Sequence, residues 1–488
     1  MKHNALSLSC AFLAALLLAS SGDASTGTPT ETAAKTPSEN TPVTEAVTEA
    51  YNGPELPEAD FGGETFSFYN SNMCDWMAIS RVTADEETGD TLNDAVYRRN
   101  SLVEDRYNIK LTEYQNNVDA LKATMKLITA GDNTHSIYLL REEPAFNVVL
   151  QNGAIDYAGI PHLNLDREWW LQSSLDSMSI DNRVYFAIST FDTTHYDGTS
   201  ALYFNKTLAE SYDMESPYTL VKNGTWTLDR FYEMAMTAAK DIDGNGKWDE
   251  NDQYGIASHE YLITRYLISG VEAPLSLAKD DNDMLVFTMD SDHYIDRLLA
   301  VSELFLNKKE GFYHPRGVGE NNGGYEYFIS GNTLFYNETL GNAQKLRKMT
   351  LDFGILPPPK YNEAQENYFN DVIEAYFMIV PVTNGDLDRT GILMEALAYE
   401  SLDTVKVAAY DGMLQGIVSR DTESEMSLDV IFNNLSYNHP VAIGYTCTQV
   451  SSRLYAGKND FASIMEKNRS KVETAIEKAM TAYKENNG

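Results

Sequence analysis

Twelve residues from Asp241 to Asp252 (DIDGNGKWDEND) form the stretch of this sequence best equipped for chemistry. Asp241, Asp243, Asn245, Asp249 and Asp252 carry side-chain oxygens at positions 1, 3, 5, 9 and 12, and Lys247 offers its backbone carbonyl at position 7. Gly246 stands at position 6, where such a loop turns sharply. Calcium is a hard cation that takes six to eight oxygens, and this EF-hand spacing gathers oxygens around one point. Asp252 replaces the longer Glu that usually closes the coordination sphere, so weak affinity is expected, which an extracellular protein tolerates. A single loop of this kind reads as a structural calcium staple rather than a sensor. The competing reading is an acidic turn built on Gly244 and Gly246.

Catalytic patterns are missing from the rest of the chain. The sequence contains no H-E-x-x-H, C-x-x-C, G-x-S-x-G or G-x-x-x-x-G-K-[ST]. His135, His162, His195, His293, His314 and His439 are scattered without ligand-like spacing and read as ordinary histidines. Carboxylates are abundant enough that any pair could be offered as a glycosidase dyad, which only spatial proximity could support. No catalytic residue is assigned, and a non-enzyme is expected.

Aromatic residues suggest a different chemistry. Trp76 lies in Asn72-Met73-Cys74-Asp75-Trp76, and Trp169 and Trp170 follow Asp166-Arg167-Glu168. Sugar rings stack their C–H faces on aromatic planes, while their hydroxyls bond to Asp, Asn, Glu or Arg. Core packing is the alternative use of each indole.

These residues need elements to hold them. Thr65–Asn70 is aromatic and β-branched and predicts a strand. Gly89-Asp90-Thr91 caps a helix carrying Leu92, Val96, Val103 and Tyr107 near one face, and Ile109 and Leu111 alternate in a second strand. Ala201–Asn205, Asn332–Asn337, Phe353–Leu356 and Ala375–Pro381 predict further strands. Lys206–Tyr212, Asp229–Lys240, Arg389–Ser401 and Ser463–Lys484 predict helices. The alternation favours an α/β fold over an all-β one.

Charge narrows the partners. Lys and Arg number 37 against 72 Asp and Glu, a formal charge of −35. Nucleic acid and anionic lipid both call for a basic footprint, so neither is a partner. Lys2 and His3 precede an apolar run from Ala5 to Ala19 and then small residues, the pattern of an export signal over residues 1–21. Leu18-Ala19-Ser20 has the form of a lipobox start, but Ser21 stands where a lipidated Cys belongs, so secretion without a lipid is equally compatible. Residues 22–60 are rich in Thr, Pro, Glu, Ala and Ser and read as a disordered tether. Of the three cysteines Cys10 is in the signal; Cys74 and Cys447 leave room for one bridge without deciding it.

Several blocks, in order, carry a resemblance. They are Gly89-Asp90-Thr91-Leu92-Asn93-Asp94-Ala95-Val96-Tyr97-Arg98-Arg99-Asn100; Trp169-Trp170 with Tyr185-Phe186-Ala187 and Leu202-Tyr203-Phe204-Asn205-Lys206; Asn223-Gly224-Thr225-Trp226-Thr227 leading into the calcium loop and Asp252-Gln253-Tyr254-Gly255-Ile256; and Glu395-Ala396-Leu397-Ala398-Tyr399-Glu400-Ser401. From about Phe61 onward the chain resembles the extracellular solute-binding proteins of bacterial ABC transporters, family 1, the sugar-binding group. The resemblance implies a two-lobed, type II periplasmic-binding-protein-like α/β fold over residues 61–488. It also implies hinges, an interlobe cleft, a carbohydrate ligand, an ABC permease that receives it, and an extracellular, cell-surface location. A monomer is expected.

Cleft closure around the ligand would use loops at strand ends. Asp75, Trp76, Asp192, Tyr196, Asn337, Glu338, Asp371 and Glu374 are the candidates there, with Trp169 and Trp170 added as aromatic platforms. Solvated loop residues and core packing are their bland alternatives. A secreted carbohydrate-active enzyme and a surface adhesin or sensor stay open as other functions.

Overall fold

The computed structural model describes residues 53–71, 82–116, 119–271, 277–306, 311–315, 323–342, 346, 349–417, 422–443 and 447–485. All of them lie in the compact unit Gly53–Gly488. The export signal, most of the tether, and Asp75 and Trp76 fall outside the described residues. Packed chain begins before residue 61: Pro54 is buried, and Leu56 and Ala59 lie against the core.

The described strands are β1 (Glu64–Ser71), β2 (Ile109–Asn116), β3 (Ile137–Arg141), β4 (Ser200–Asn205), β5 (Tyr254–Ser258), β6 (Leu277–Lys279), β7 (Leu285–Phe287), β8 (Tyr313–Pro315), β9 (Thr333–Thr339), β10 (Phe353–Leu356), β11 (Asn370–Asp371), β12 (Tyr376–Ile379) and β13 (Leu435–Ser436). Two sheets dominate. The first has the order β12-β3-β1-β2, with β1 parallel to β2 and β3, and β12 antiparallel to β3. The second has the order β10-β4-β9-β5-β8, mixing antiparallel β10-β4-β9 with parallel β9-β5-β8.

Local chemistry explains the entry into the first sheet. Asp90 caps helix Thr91–Tyr107 by accepting the Asn93 N–H at 2.9 Å. Asn108 ends that helix in the left-handed region, at φ 46°, and turns the chain straight into β2. Phe66, Phe68, Ile137, Leu139 and Met378 then bury one face of the sheet beneath Val103, Tyr107, Leu393 and Leu397 of helices Thr91–Tyr107 and Leu387–Leu402. Side chains of these central strands are buried on both faces, which is why their sequences are apolar or aromatic without clean alternation.

The chain passes between the sheets more than once. It leaves β3 for β4, and it returns from β10 to β12 through β11. These two crossovers lie side by side. Thr199 and Val372 form an antiparallel bridge, and the Ile373 N–H donates to the Gly198 carbonyl at 2.9 Å. Gly198 allows that contact, because a Cβ there would stand 1.8 Å from the Glu374 carbonyl oxygen.

Candidate functional site

A polar network occupies the place where the crossovers meet the strand ends. Arg141 closes β3 and binds Glu374 of the second crossover, with Nη2 donating to Oε1 at 2.6 Å. Arg265, on helix Glu260–Gly270, forms an ion pair with Asp371 of β11. Asn438 adds a second donor to Asp371, from Nδ2 to Oδ1 at 3.0 Å. Ser200, which opens β4, receives Asn370 Nδ2 on its carbonyl at 2.9 Å and Asn337 Nδ2 on its hydroxyl at 3.2 Å. Asp371, Asn370 and Asn337 have no solvent exposure.

Burial dominates the electrostatics here. It pushes the Glu374 carboxyl up to about 7, although the neighbouring Arg141 pulls it down. Burial also raises Glu142, again against the pull of Arg141 and Arg265. With Asp371, the junction holds three carboxyl groups and two guanidinium groups.

The sequence-predicted residues separate into groups. Asp192, Tyr196, Asp371 and Glu374 all lie on the two crossovers, and Asn337 joins them from β9 through Ser200. Asp192 is fully buried and accepts the Thr194 hydroxyl at 2.6 Å. Tyr196 packs edge-on against Phe432, with ring centroids 5.2 Å apart. Glu338 parts from its neighbour Asn337, because successive strand residues point to opposite faces. It accepts the Tyr336 hydroxyl at 3.3 Å on the side of the second sheet where Tyr203 and Phe328 pack.

Trp169 and Trp170 go elsewhere. Trp170 Nε1 donates to Glu395 Oε2 at 3.0 Å beneath helix Leu387–Leu402, and Trp169 packs edge-on against Tyr399 at 5.3 Å. They are 4% and 1% exposed, so this structure gives both indoles a packing role and leaves no open face for a sugar. Arg141, Glu142, Arg265, Asn370 and Asn438 were not anticipated. The signal for Arg141 is a charge that ends the apolar run Ile137–Leu140, a strand outside those the sequence patterns above predict.

The acidic loop has its own geometry. Lys240 and Gln253 close its base through paired backbone hydrogen bonds of 2.8 and 3.0 Å. Carboxylate oxygens of Asp241, Asp243 and Asp252 lie within 4.8 Å of one another. Asp241 accepts the N–H groups of Gly244 and Gly246, and buried Asp252 accepts those of Ile242 and Asp249. Gly244 and Gly246 take φ values of 67° and 74°, the left-handed turns that glycine permits. Asn245 turns its amide onto Asp243, and Asp249 is engaged by Asn251. Helix Leu228–Ala238 enters the loop, but strand β5 leaves it, so a second helix is not part of the arrangement. An all-oxygen set of three converging carboxylates suits a hard cation such as calcium.

No protein-family model matches this sequence, and no curated protein matches it. The fold does have relatives of known structure. An ABC substrate-binding protein from Listeria monocytogenes in complex with cycloalternan superposes with a TM-score of 0.53 at 10% identity, over 85% of this chain and 99% of that one. An extracellular solute-binding protein from Staphylococcus aureus in complex with maltose gives 0.55 at 12% identity, over 85% and 98%. A cyclo/maltodextrin-binding protein complexed with maltotetraose gives 0.54 at 13% identity, over 86% and 96%. The chain therefore has the two-lobed α/β architecture of these binding proteins along nearly their whole length.

Proposed function

We propose that this chain, built on the fold of the ABC solute-binding proteins, captures a carbohydrate in the cleft between its lobes and delivers it to a membrane permease. The observation that carries the reading is the buried polar network at the crossovers. Each sheet contributes strand ends to it, Arg141 from the first and Ser200 and Asn337 from the second. In α/β folds ligands collect outside such strand ends, and bridging contacts stabilise a closed state only by what they add there. The neighbouring structures hold cycloalternan, maltose and maltotetraose, which favours an oligosaccharide. Among the described residues no helix is long and apolar enough to cross a membrane.

The same reading includes export by residues 1–21, a cell-surface monomer on a tether, and calcium held by Asp241, Asp243 and Asp252 as a staple of the second sheet. The test is thermal shift with calcium present against maltose, maltotetraose, mannitol and a peptide set. A rise of the midpoint with a sugar alone supports the proposal, since a ligand that binds only the folded state must stabilise it. A rise with peptides alone discards carbohydrate. Hydrolysis of the oligosaccharide during the assay discards the binding-protein reading.

A further inference from the structure

A cavity of about 480 Å³ opens beside the second sheet, between helix Leu228–Ala238, helix Asp292–Leu306 and the loop that carries Tyr361. It shares no residue with the crossover junction. Backbone bonds fix two of its walls against each other. The Leu228 N–H donates to the Lys360 carbonyl at 2.9 Å, and the Lys360 N–H donates to the Trp226 carbonyl at 3.0 Å. The loop is thereby locked onto the start of helix Leu228–Ala238, so the cavity is formed before anything enters it. Its volume is in the range of pockets that hold small molecules.

The lining has a definite chemistry. Asp229 comes from the first helix and Glu303 from the second, so two different walls each carry a carboxylate. Both side chains are exposed, and among the described residues neither has a hydrogen-bond or ion-pair partner. Nearby cations are turned elsewhere. Arg230 binds Glu215 and Glu233 at 2.8 and 2.7 Å, and Lys360 donates to the Gln365 carbonyl at 2.8 Å. Buried Leu228 and Leu304 make the lining partly apolar, and Tyr232 and Tyr361 add half-buried rings. Tyr361 already receives one cation, since the Arg297 guanidinium carbon stands 3.7 Å from its ring centroid. An anion entering here would meet two carboxylates, and a bare metal ion would make no use of the apolar lining.

We propose that this cavity is an accessory site for a linear aliphatic diamine or polyamine, with one ammonium on Asp229, another on Glu303, and the methylene chain laid along Leu228 and Leu304. Such a molecule has charged ends that stay hydrated and an apolar stem that gains by leaving water, which is the pattern the lining offers. A monoamine would engage only one of the two carboxylates. The site is separate from the carbohydrate cleft and does not depend on it.

Calorimetry on the full mature chain tests this with spermidine, the diamines from propane-1,3-diamine to hexane-1,6-diamine, and butylamine. The buffer holds calcium and about 0.15 M salt, which screens the diffuse field of a chain of charge −35 beyond about 8 Å. Wild type should bind spermidine at one site, with one diamine length preferred and butylamine at least about threefold weaker, as expected for losing one ion pair near the surface. Asp229→Asn and Glu303→Gln should each weaken spermidine about threefold, and the two together about tenfold. Glu477→Gln, an exposed carboxylate on the C-terminal helix, should leave it unchanged. If the cavity variants do not fold, the length preference and the diamine-over-monoamine preference of wild type decide. No binding by wild type, equal affinity for butylamine and the diamines, or a loss in Glu477→Gln matching that in the folded cavity variants overturns the proposal. Each of those results leaves carbohydrate capture standing.

Discussion

Asp371→Asn tests how the second crossover is held. Asp371 has no exposed surface and accepts from Arg265 and from Asn438. Neutralising it keeps the shape but leaves the guanidinium of Arg265, itself 6% exposed, without its counter-charge. Removing one partner of a buried ion pair costs roughly 3–5 kcal/mol, because the remaining charge cannot regain its water. For a folded unit of about 430 residues the unfolding entropy near the midpoint is on the order of 0.9 kcal/mol per degree, so the midpoint should fall by about 3–6 °C. Replacing both partners, as Arg265→Met with Asp371→Leu, should recover most of the loss, since an apolar pair of similar volume is often neutral. Urea unfolding of the four proteins in the cycle gives the coupling directly. A loss under about 1 kcal/mol for Asp371→Asn, or a double variant no better than the sum of the singles, would refute the reasoning.

Three further outcomes follow from the same geometry. Glu374 has its carboxyl pushed up to about 7, above its usual unfolded value, so the folded state holds its proton more tightly and this contribution to stability is lost as pH rises from about 4.5 through 7. Glu374→Gln should flatten the stability profile over that window by up to roughly 3 kcal/mol; parallel profiles would remove Glu374 as the cause. Gly198→Ala should lower the thermal midpoint by several degrees because its methyl group meets the Glu374 backbone, whereas Gly412→Ala, with open space around it in helix Val405–Ile417, should raise stability by about 0.5–1 kcal/mol. Calcium at about 100 times its dissociation constant should add about 2.7 kcal/mol, and Asp241→Asn with Asp243→Asn should abolish that gain; a midpoint that ignores calcium in wild type would leave the loop an acidic turn.

Much of the fold was legible because local signals were strong. Phe353–Leu356 is a strand with the predicted bounds, and Asp90 caps its helix as its side chain allows. The α/β alternation follows from the same patterning. The junction was legible only in part. Asp192, Asp371 and Glu374 stood out as polar residues beside apolar runs, yet their partners Arg141 and Arg265 lie far away in sequence and arrive through a strand order that no local signal encodes. Asn370 was invisible for a similar reason, since its partner is a backbone carbonyl of β4. The tryptophan pair misled because an indole serves a core and a sugar equally well, and the choice depends on which helix covers it, here Leu387–Leu402.

The paired crossovers also have a mechanical consequence. Two separate linkers would let the sheets slide past one another and rotate freely. Here the bridge between Thr199 and Val372 and the bond from Ile373 to Gly198 tie the linkers into a short ribbon, with Gly198 pressed against Glu374. A hydrogen-bonded ribbon resists shear along its strands, because sliding would break register and strand its backbone groups. It bends out of plane far more easily. Where the two linkers run side by side, their pairing therefore favours bending over shear.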